Sequence, residues 1–273
     1  MMKPDGRTEN RALSFVVVLL IGIGMVLGSQ WFSPPYIAVF IVGGALCTLF
    51  SPSSLKILLL TLTVYLIGYA LSIWLKMLIL DVANAHAYTT EMKVIVSRFS
   101  LIGYLIPLAV LQAIQKANTN YFTLGKWTST IQFPFIWWGI RDPIWRYVSI
   151  AMSVMLVSCF FLIDFQRDDL WTLLLYGILF ALINSILEEL LWRGYMLARF
   201  VDVFGEKLGL IGTSAAFGMY HYSLGFGLPI CFVFTVTGLL LGGVVIRSKG
   251  LLPAIAMHAL MNVIFVFTGI IFG

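Results

Sequence analysis

Charge is scarce in this chain. Only 11% of its 273 residues are Asp, Glu, Lys or Arg, whereas 60% are hydrophobic, and the mean hydropathy is +0.99. A soluble domain of this size cannot hide so much apolar surface. Cysteine and histidine are rarer still, with three of each. Cys47, Cys159 and Cys231 stand singly in apolar runs without metal-ligand spacing, which leaves them as small core hydrophobes. No polar stretch is long enough to fold as a soluble domain, and there is neither an internal repeat nor a low-complexity tract. The net charge of +5 is scattered over short loops, so it is no nucleic-acid footprint and no nucleic-acid partner is expected. In such a chain the basic residues report topology instead.

What is abundant is long apolar runs, several near or above the ~20 residues that cross a ~30 Å hydrocarbon core. The expected fold is all-α, a polytopic membrane helix bundle of about 8–9 transmembrane helices. Nine spans are read: 12–30, 36–50, 55–80, 99–114, 147–163, 170–200, 210–222, a span ending at Arg247, and 251–272. The first, preceded by Arg7 and Arg11, reads as an uncleaved anchor and not as a signal peptide, because its apolar run is too long. Residues 81–97 read as a polar loop with His86 solvated in it. Residues 115–146 read as the longest irregular stretch, with Trp127, Trp137, Trp138 and Trp145 mixed with Lys126, Arg141 and Arg146. That composition suits the headgroup layer, either as a lid or lipid-facing platform or as a plain interfacial connector. Most of the seventeen basic residues fall on one side of this arrangement. The N-terminus is therefore expected to be cytoplasmic and the C-terminus outside, in a multi-pass protein of the plasma membrane in contact with lipid.

Against this background the ionisable residues inside the apolar runs stand out, because they are costly in a bilayer and usually functional. Within 170–200 lies Asn184-Ser-Ile-Leu-Glu188-Glu189-Leu-Leu-Trp192-Arg193. Glu189 and Arg193 are i,i+4 and can pair on one face. Glu188 sits about 100° around the helix, with Asn184 and Trp192 one turn to either side. One carboxylate is thus held by a partner and the other is left free. Two further apolar helices carry Phe217-Gly-Met-Tyr-His221 and His258-Ala-Leu-Met-Asn262, the latter an imidazole and a carboxamide on one face.

Singly, each could be structural: a Glu–Arg pair as glue, an Asn or His as an interhelical hydrogen bond of roughly 0.6–2 kcal/mol. Together they suit hydrolysis of an acyl bond. A carboxylate beside a histidine can deprotonate water, and a second histidine with an amide can donate to the oxygen that becomes negative. Glu188 is the expected base, with Glu189 the structural partner of Arg193. Other plans fit worse. There is no His-Glu-x-x-His, although two histidines and a glutamate could hold zinc from three helices. Gly212-Thr-Ser214-Ala215 begins like the serine motif of rhomboid proteases but lacks its closing glycine. No Gly-x-Gly-Asp supports an aspartyl protease, and the polar residues cluster in one half of the chain, unlike those of a transporter.

The motifs Glu188-Glu189-x-x-x-Arg193, Phe217-x-x-x-His221 and His258-x-x-x-Asn262 resemble those of the CAAX protease and bacteriocin-processing family of membrane proteases, also called the Abi family. The run from Leu239 to His258 is similar to that family's late helices, and the resemblance covers about 169–269. Trp192 stands where the family pattern has Phe. The resemblance implies a glutamate-dependent intramembrane endopeptidase. In it Glu188 with His221 activates water, and His258 with Asn262 forms the oxyanion hole. No cofactor and no metal is implied. The substrate would be a peptide or protein, from prenylated CAAX proteins to bacteriocin precursors. On this reading, residues 1–146 are N-terminal transmembrane helices plus the aromatic loop, and residues 147–273 are the catalytic helices of one integral membrane domain. A protein of another class, a non-catalytic immunity or scaffold protein that binds with the same polar pocket, would carry the same residues.

Overall fold

A computed structural model describes Val16, residues 34–116 and residues 120–272. The expected span 12–30 lies outside the described residues, apart from Val16. The rest is mostly helical. Helix α1 is Pro34–Phe50, α2 is Ser53–Ala85 and α3 is Thr90–Ser97, which passes through a 3₁₀ turn, Arg98–Leu101, into α4, Ile102–Gln115. Two strands follow, β1 (Thr130–Phe135) and β2 (Trp138–Pro143), then α5 (Ile144–Cys159) and α6 (Leu170–Glu189). Helix α6 runs on through a π-helical segment, Leu190–Leu197, into α7, Ala198–Phe204. Helices α8 (Glu206–Tyr220), α9 (Leu228–Ser248) and α10 (Leu252–Phe267) complete the chain.

Among the described residues five helical stretches are long and apolar enough to cross a membrane: Leu55–Ala85, Thr90–Gln115, Ile144–Leu162, Leu170–Phe204 and Leu228–Ser248. Ile37–Phe50 and Leu252–Phe267 are shorter apolar helices. Large apolar side chains such as Leu49, Ile114, Val157, Phe161 and Phe232 lie exposed on them, as fits a multi-pass membrane protein whose outer faces meet lipid. The expected span 210–222 corresponds to the fifteen-residue α8, which falls short of that length. Cys231 is buried, whereas Cys47 faces outward, so only one of those two serves as a core hydrophobe.

Two sequence expectations are corrected. Residues 81–97 are not one loop. Helix α2 continues to Ala85, and α3 starts at Thr90 with the Thr89 side chain accepting from the Met92 N–H. Capping by Thr89 outweighs the polar composition, because it satisfies an N–H that the first helical turn leaves open. His86, in the short turn between them, is exposed, with Nδ1 on Val82 O at 2.9 Å. Residues 115–146 are not wholly irregular either, since β1 and β2 form an antiparallel hairpin, Thr130 opposite Pro143 and Phe135 opposite Trp138. Prolines at 134 and 143 and the lack of clean alternation mask it in the sequence. Fold class is thus helical with one added hairpin.

The chain divides into two compact units. One comprises Met1–Ala70, Pro107–Ala117 and Tyr195–Gly242; the other comprises Leu71–Ile106, Asn118–Gly194 and Gly243–Gly273. In the first, α8 meets α9 so closely that a Cβ on Gly218 would collide with the Thr235 hydroxyl and the Cys231 carbonyl.

In the second, α3, α6 and α10 share an apolar cluster of Ile95, Leu173, Phe180 and Val266. Helices α6 and α10 run antiparallel: Gly177 lies opposite Val266, Ser185 opposite Asn262 and Glu189 opposite His258. Just before α6, Arg167 chelates the carboxylate of Asp169 at 2.8 and 2.9 Å. This bond holds the Asp169 carboxyl below the usual carboxylate range and the guanidinium above its own.

The start of α10 is fixed from outside its own sequence. Lys126 N donates to Ser248 O (2.9 Å), Leu251 N to Thr123 O (2.9 Å), Thr123 Oγ1 to Lys249 O (2.5 Å) and Arg247 Nε to Thr130 O (3.1 Å). Residues 121–126 therefore clamp the turn between α9 and α10, and a Cβ on Gly250 would strike the Gly125 backbone and the Thr123 carbonyl. Backbone cannot yield as a side-chain end can. Gly250→Ala is expected to destabilise the folded protein by about 1–3 kcal/mol, read as a lower Tm in a thermal-shift assay in detergent; an unchanged Tm would show that the clamp is soft.

Candidate active site

The acidic pair ends α6, and both carboxylates are buried, Glu188 at 1% exposure and Glu189 at 0%. A guanidinium follows one turn later. Arg193 Nη1 donates to Glu189 Oε1 at 2.8 Å, so the ion pair that the i,i+4 spacing predicts is present. The same Glu189 Oε1 also accepts from His258 Nδ1 at 2.8 Å, a bond the sequence reading does not contain. Glu189 is therefore more than Arg193's partner: it ties α6 to α10.

That bond sets the histidine. A carboxylate can only accept, so Nδ1 of His258 carries a proton. The opposite ring nitrogen, Nε2, then turns towards Glu188 and lies 3.8 Å from its Oε2. That Oε2 is buried and has no hydrogen-bond partner among the described residues; the same holds for Asn184 Oδ1 one turn earlier on the same face. One turn beyond His258, Asn262 donates from Nδ2 to Ser185 Oγ at 3.1 Å. Ser185 is fully buried and goes unnoticed in the sequence, where a lone serine in an apolar run carries no signal. The amide has two N–H bonds, and this interaction uses one of them.

The helix changes character directly after the carboxylates. Leu190–Leu197 is π-helical, a rare form that recurs at functional sites. Its wider turn contains Trp192 and Arg193, both buried. Phe122 lies against it: a Cβ added at Gly194 would sit 2.6 Å from the Phe122 ring. Little in residues 190–197 read singly announces this, since apart from Gly194 they are all ordinary α-helix formers.

His221 belongs to the other compact unit and closes α8. Its Nδ1 lies 2.8 Å from Phe217 O, the carbonyl one turn back, so Nδ1 is the donor and Nε2 the acceptor of the neutral ring. The ring stacks on Phe234, with centroids 3.6 Å apart and planes 14° from parallel; Phe217 and Phe226 stand at 4.8 and 6.1 Å. Phe217 thus serves the histidine twice, through its carbonyl and through its ring. Ser214, one turn earlier, is buried with its Oγ lacking a partner among the described residues.

The second unit thus brings Glu188, Glu189, Arg193, His258 and Asn262 together, and His221 has a setting of its own in the first. Among the described residues no group of three or more His, Cys, Asp or Glu is arranged to hold a metal ion. The arrangement offers two carboxylate oxygens without a hydrogen bond among the described residues, Glu188 Oε2 and Glu189 Oε2, one imidazole fixed in orientation, and one amide N–H to spare. These are the parts of a site that moves a proton and stabilises a developing negative charge.

Residues 170–264 match the family model described as Rce1-like, type II CAAX prenyl endopeptidase Rce1-like. This accords with the CAAX protease and bacteriocin-processing family whose motifs the sequence resembles. The matched stretch starts with α6 and takes in every residue singled out above from Leu170 to Asn262. No curated protein matches the chain, and no solved structure matches it.

The two carboxylates should separate experimentally. Removing Glu189 or Arg193 strands the other as a buried unpaired charge, at a cost of ~3–5 kcal/mol; loss of Glu189 also releases His258. Glu189→Ala and Arg193→Ala are expected to lose folded protein, whereas Glu188→Gln, whose Oε2 makes no hydrogen bond, keeps its fold. Thermal melting of the three variants in detergent checks this. A stable Glu189→Ala beside a destabilised Glu188→Gln would reverse the two assignments.

Proposed function

We propose that the chain is an intramembrane endopeptidase that hydrolyses a peptide bond with a water activated by Glu188. The observation that carries this is the contrast within the acidic pair. Glu189 accepts from both Arg193 and His258 through its Oε1, whereas the Glu188 side chain makes no hydrogen bond among the described residues and faces the same imidazole. The CAAX prenyl endopeptidase match over the helices that carry these groups supports the choice of reaction.

The steps follow from the groups. Water lies between Glu188 Oε2 and Asn184 Oδ1, the two unanswered acceptors on one face of α6. Glu188 takes one of its protons as the oxygen adds to the carbonyl carbon. The carbonyl oxygen becomes negative and receives the remaining Asn262 amide N–H and the His258 Nε2–H. Donation from Nε2 requires the doubly protonated ring, because Nδ1–H already serves Glu189. With that proton the four charged groups balance, two carboxylates against a guanidinium and an imidazolium. The C–N bond then breaks, and the proton on Glu188 passes to the leaving amine. His221 enters on its motif and its own setting: with Nδ1 donating to Phe217 O, its Nε2 accepts a hydrogen bond that helps to orient the water, while Glu188 takes the proton. Glu189 and Arg193 position His258 and do not transfer protons.

The substrate class proposed is a protein or peptide ending in a prenylated cysteine followed by three residues, the arrangement the CAAX name describes. The proposed placement is a multi-pass protein of the plasma membrane with a cytoplasmic N-terminus.

Purified protein in detergent or proteoliposomes should cleave a farnesylated Cys-aliphatic-aliphatic-Met peptide after the cysteine. Glu188→Gln and His221→Ala are expected to lower kcat by about 10²–10⁴-fold, and Asn262→Ala by about 10²–10³-fold. Full activity in Glu188→Ala would end the hydrolase reading and leave the pocket a binding site. A further outcome concerns metal. Glu189 and His258 Nδ1 are bound to each other, so cleavage is expected to survive a chelator; about one zinc per active chain with chelator-sensitive turnover would overturn that.

A further inference from the structure

Arg98 is a cation inside an apolar stretch with no carboxylate in contact with it among the described residues. The residue opens the 3₁₀ turn between α3 and α4, within the apolar stretch Thr90–Gln115. Its Nε is buried without a hydrogen-bond partner, and its side chain makes neither a hydrogen bond nor an ion pair among the described residues. Its guanidinium stands over the ring of Phe180 at 5.3 Å. An arginine within a membrane-spanning segment ordinarily pairs with a carboxylate or a backbone carbonyl, or marks a substrate path.

The ring beneath it gives the position its meaning. Phe180, Asn184 and Glu188 succeed each other at i, i+4 and i+8, so they form one face of α6. Arg98 therefore stands at one end of the face whose other end is the proposed base. Glu188 is an anion within electrostatic reach of it, but the two form no ion pair. The charges of Glu189, Arg193, His258 and Glu188 balance among themselves in the proposed mechanism, and Arg98 is left over. Lys76, in the span Leu55–Ala85, is a second cation within electrostatic reach of it, which adds to the positive charge. A contact with a ring face offsets only part of what it costs to hold a guanidinium away from water.

From this we infer that Arg98 binds the free C-terminal carboxylate of the substrate and so sets how many residues lie beyond the scissile bond. The inference rests on the peptidase reading and deepens it. Eight residues of α6 separate Phe180 from Glu188, a rise of ~12 Å. An extended peptide spans ~3.3–3.6 Å per residue, so three to four residues fit between the carbonyl under attack and a carboxylate on Arg98. The planar fork of arginine suits that ligand, giving two parallel N–H···O bonds where lysine would give a point charge. Arg98 is on this account a specificity-determining residue.

Two measurements test it with the full chain in detergent micelles. In the first, a farnesylated Cys-aliphatic-aliphatic-Met peptide is compared as free acid and as C-terminal amide. Wild type is expected to prefer the acid by at least tenfold in kcat/KM, and Arg98→Gln to bring the acid-to-amide ratio to about one. Should Arg98 act only through the field it exerts on Glu188, both substrates would fall together and the ratio would persist, which overturns the inference.

The second measurement needs no turnover. Binding of the same two peptides, dansyl-labelled, is read by fluorescence anisotropy on Glu188→Gln protein with and without Arg98→Gln. An acid preference that disappears with Arg98 supports the inference even if no peptide is ever cleaved, in which case the hydrolase reading fails and this one stands. Equal binding of acid and amide to Glu188→Gln protein, or no binding of either, overturns it. Arg98→Lys, expected to keep part of the preference, replaces Arg98→Gln if that variant does not fold.

Discussion

One carboxylate oxygen, Glu189 Oε1, holds the site together. It accepts from Arg193 on its own helix and from His258 on α10, both at 2.8 Å, with no exposure to solvent. Hydrogen bonds to an ionised acceptor are among the strongest a protein makes, and burial strengthens them further. They also fix direction. The proton they place on Nδ1 of His258 decides which face of the ring is presented to Glu188, and hence what that nitrogen can do. The guanidinium makes it tolerable to bury two adjacent carboxylates in an apolar helix.

The surrounding packing keeps that oxygen in register. Helices α6 and α10 lie antiparallel, with a glycine–valine contact at one end and two polar contacts at the other, Ser185 to Asn262 and Glu189 to His258. A slip by one turn would break both polar contacts at once. Two devices oppose such a slip. The turn before α10 is bonded to residues 123–130 through four hydrogen bonds, and the π-helical segment after Glu189 has Phe122 packed against Gly194. The segment 121–130 therefore supports both helices that carry the candidate site in this unit.

Division of labour among like groups is the second theme. Two glutamates adjacent in sequence have different partners because successive helical positions point ~100° apart. Two histidines, His221 and His258, are both fixed through Nδ1, one by a backbone carbonyl and one by a carboxylate. In each ring the other nitrogen is thereby assigned. Two arginines in the apolar stretches differ in the same way, since Arg193 is ion-paired on its own helix and Arg98 makes no ion pair among the described residues.

Residue spacing alone settled the membrane class, the helical spans of α2, α5 and α6, and the pairing of Glu189 with Arg193. These depend on composition and on the 3.6-residue period, which are local properties. The same spacing set Glu188 apart from that pair. It could not reveal the bond from Glu189 to His258 or that from Ser185 to Asn262, because 69 and 77 residues separate the partners and only the α6–α10 packing joins them. The hairpin at 130–143 and the helix from Thr90 were hidden for related reasons: prolines and polar residues argue locally against them, and cross-strand pairing or capping decides otherwise. Arg98 shows the difference most plainly. Counted along the chain it is one basic residue near a loop; tertiary structure alone puts it over Phe180, on the face of the helix that carries Glu188.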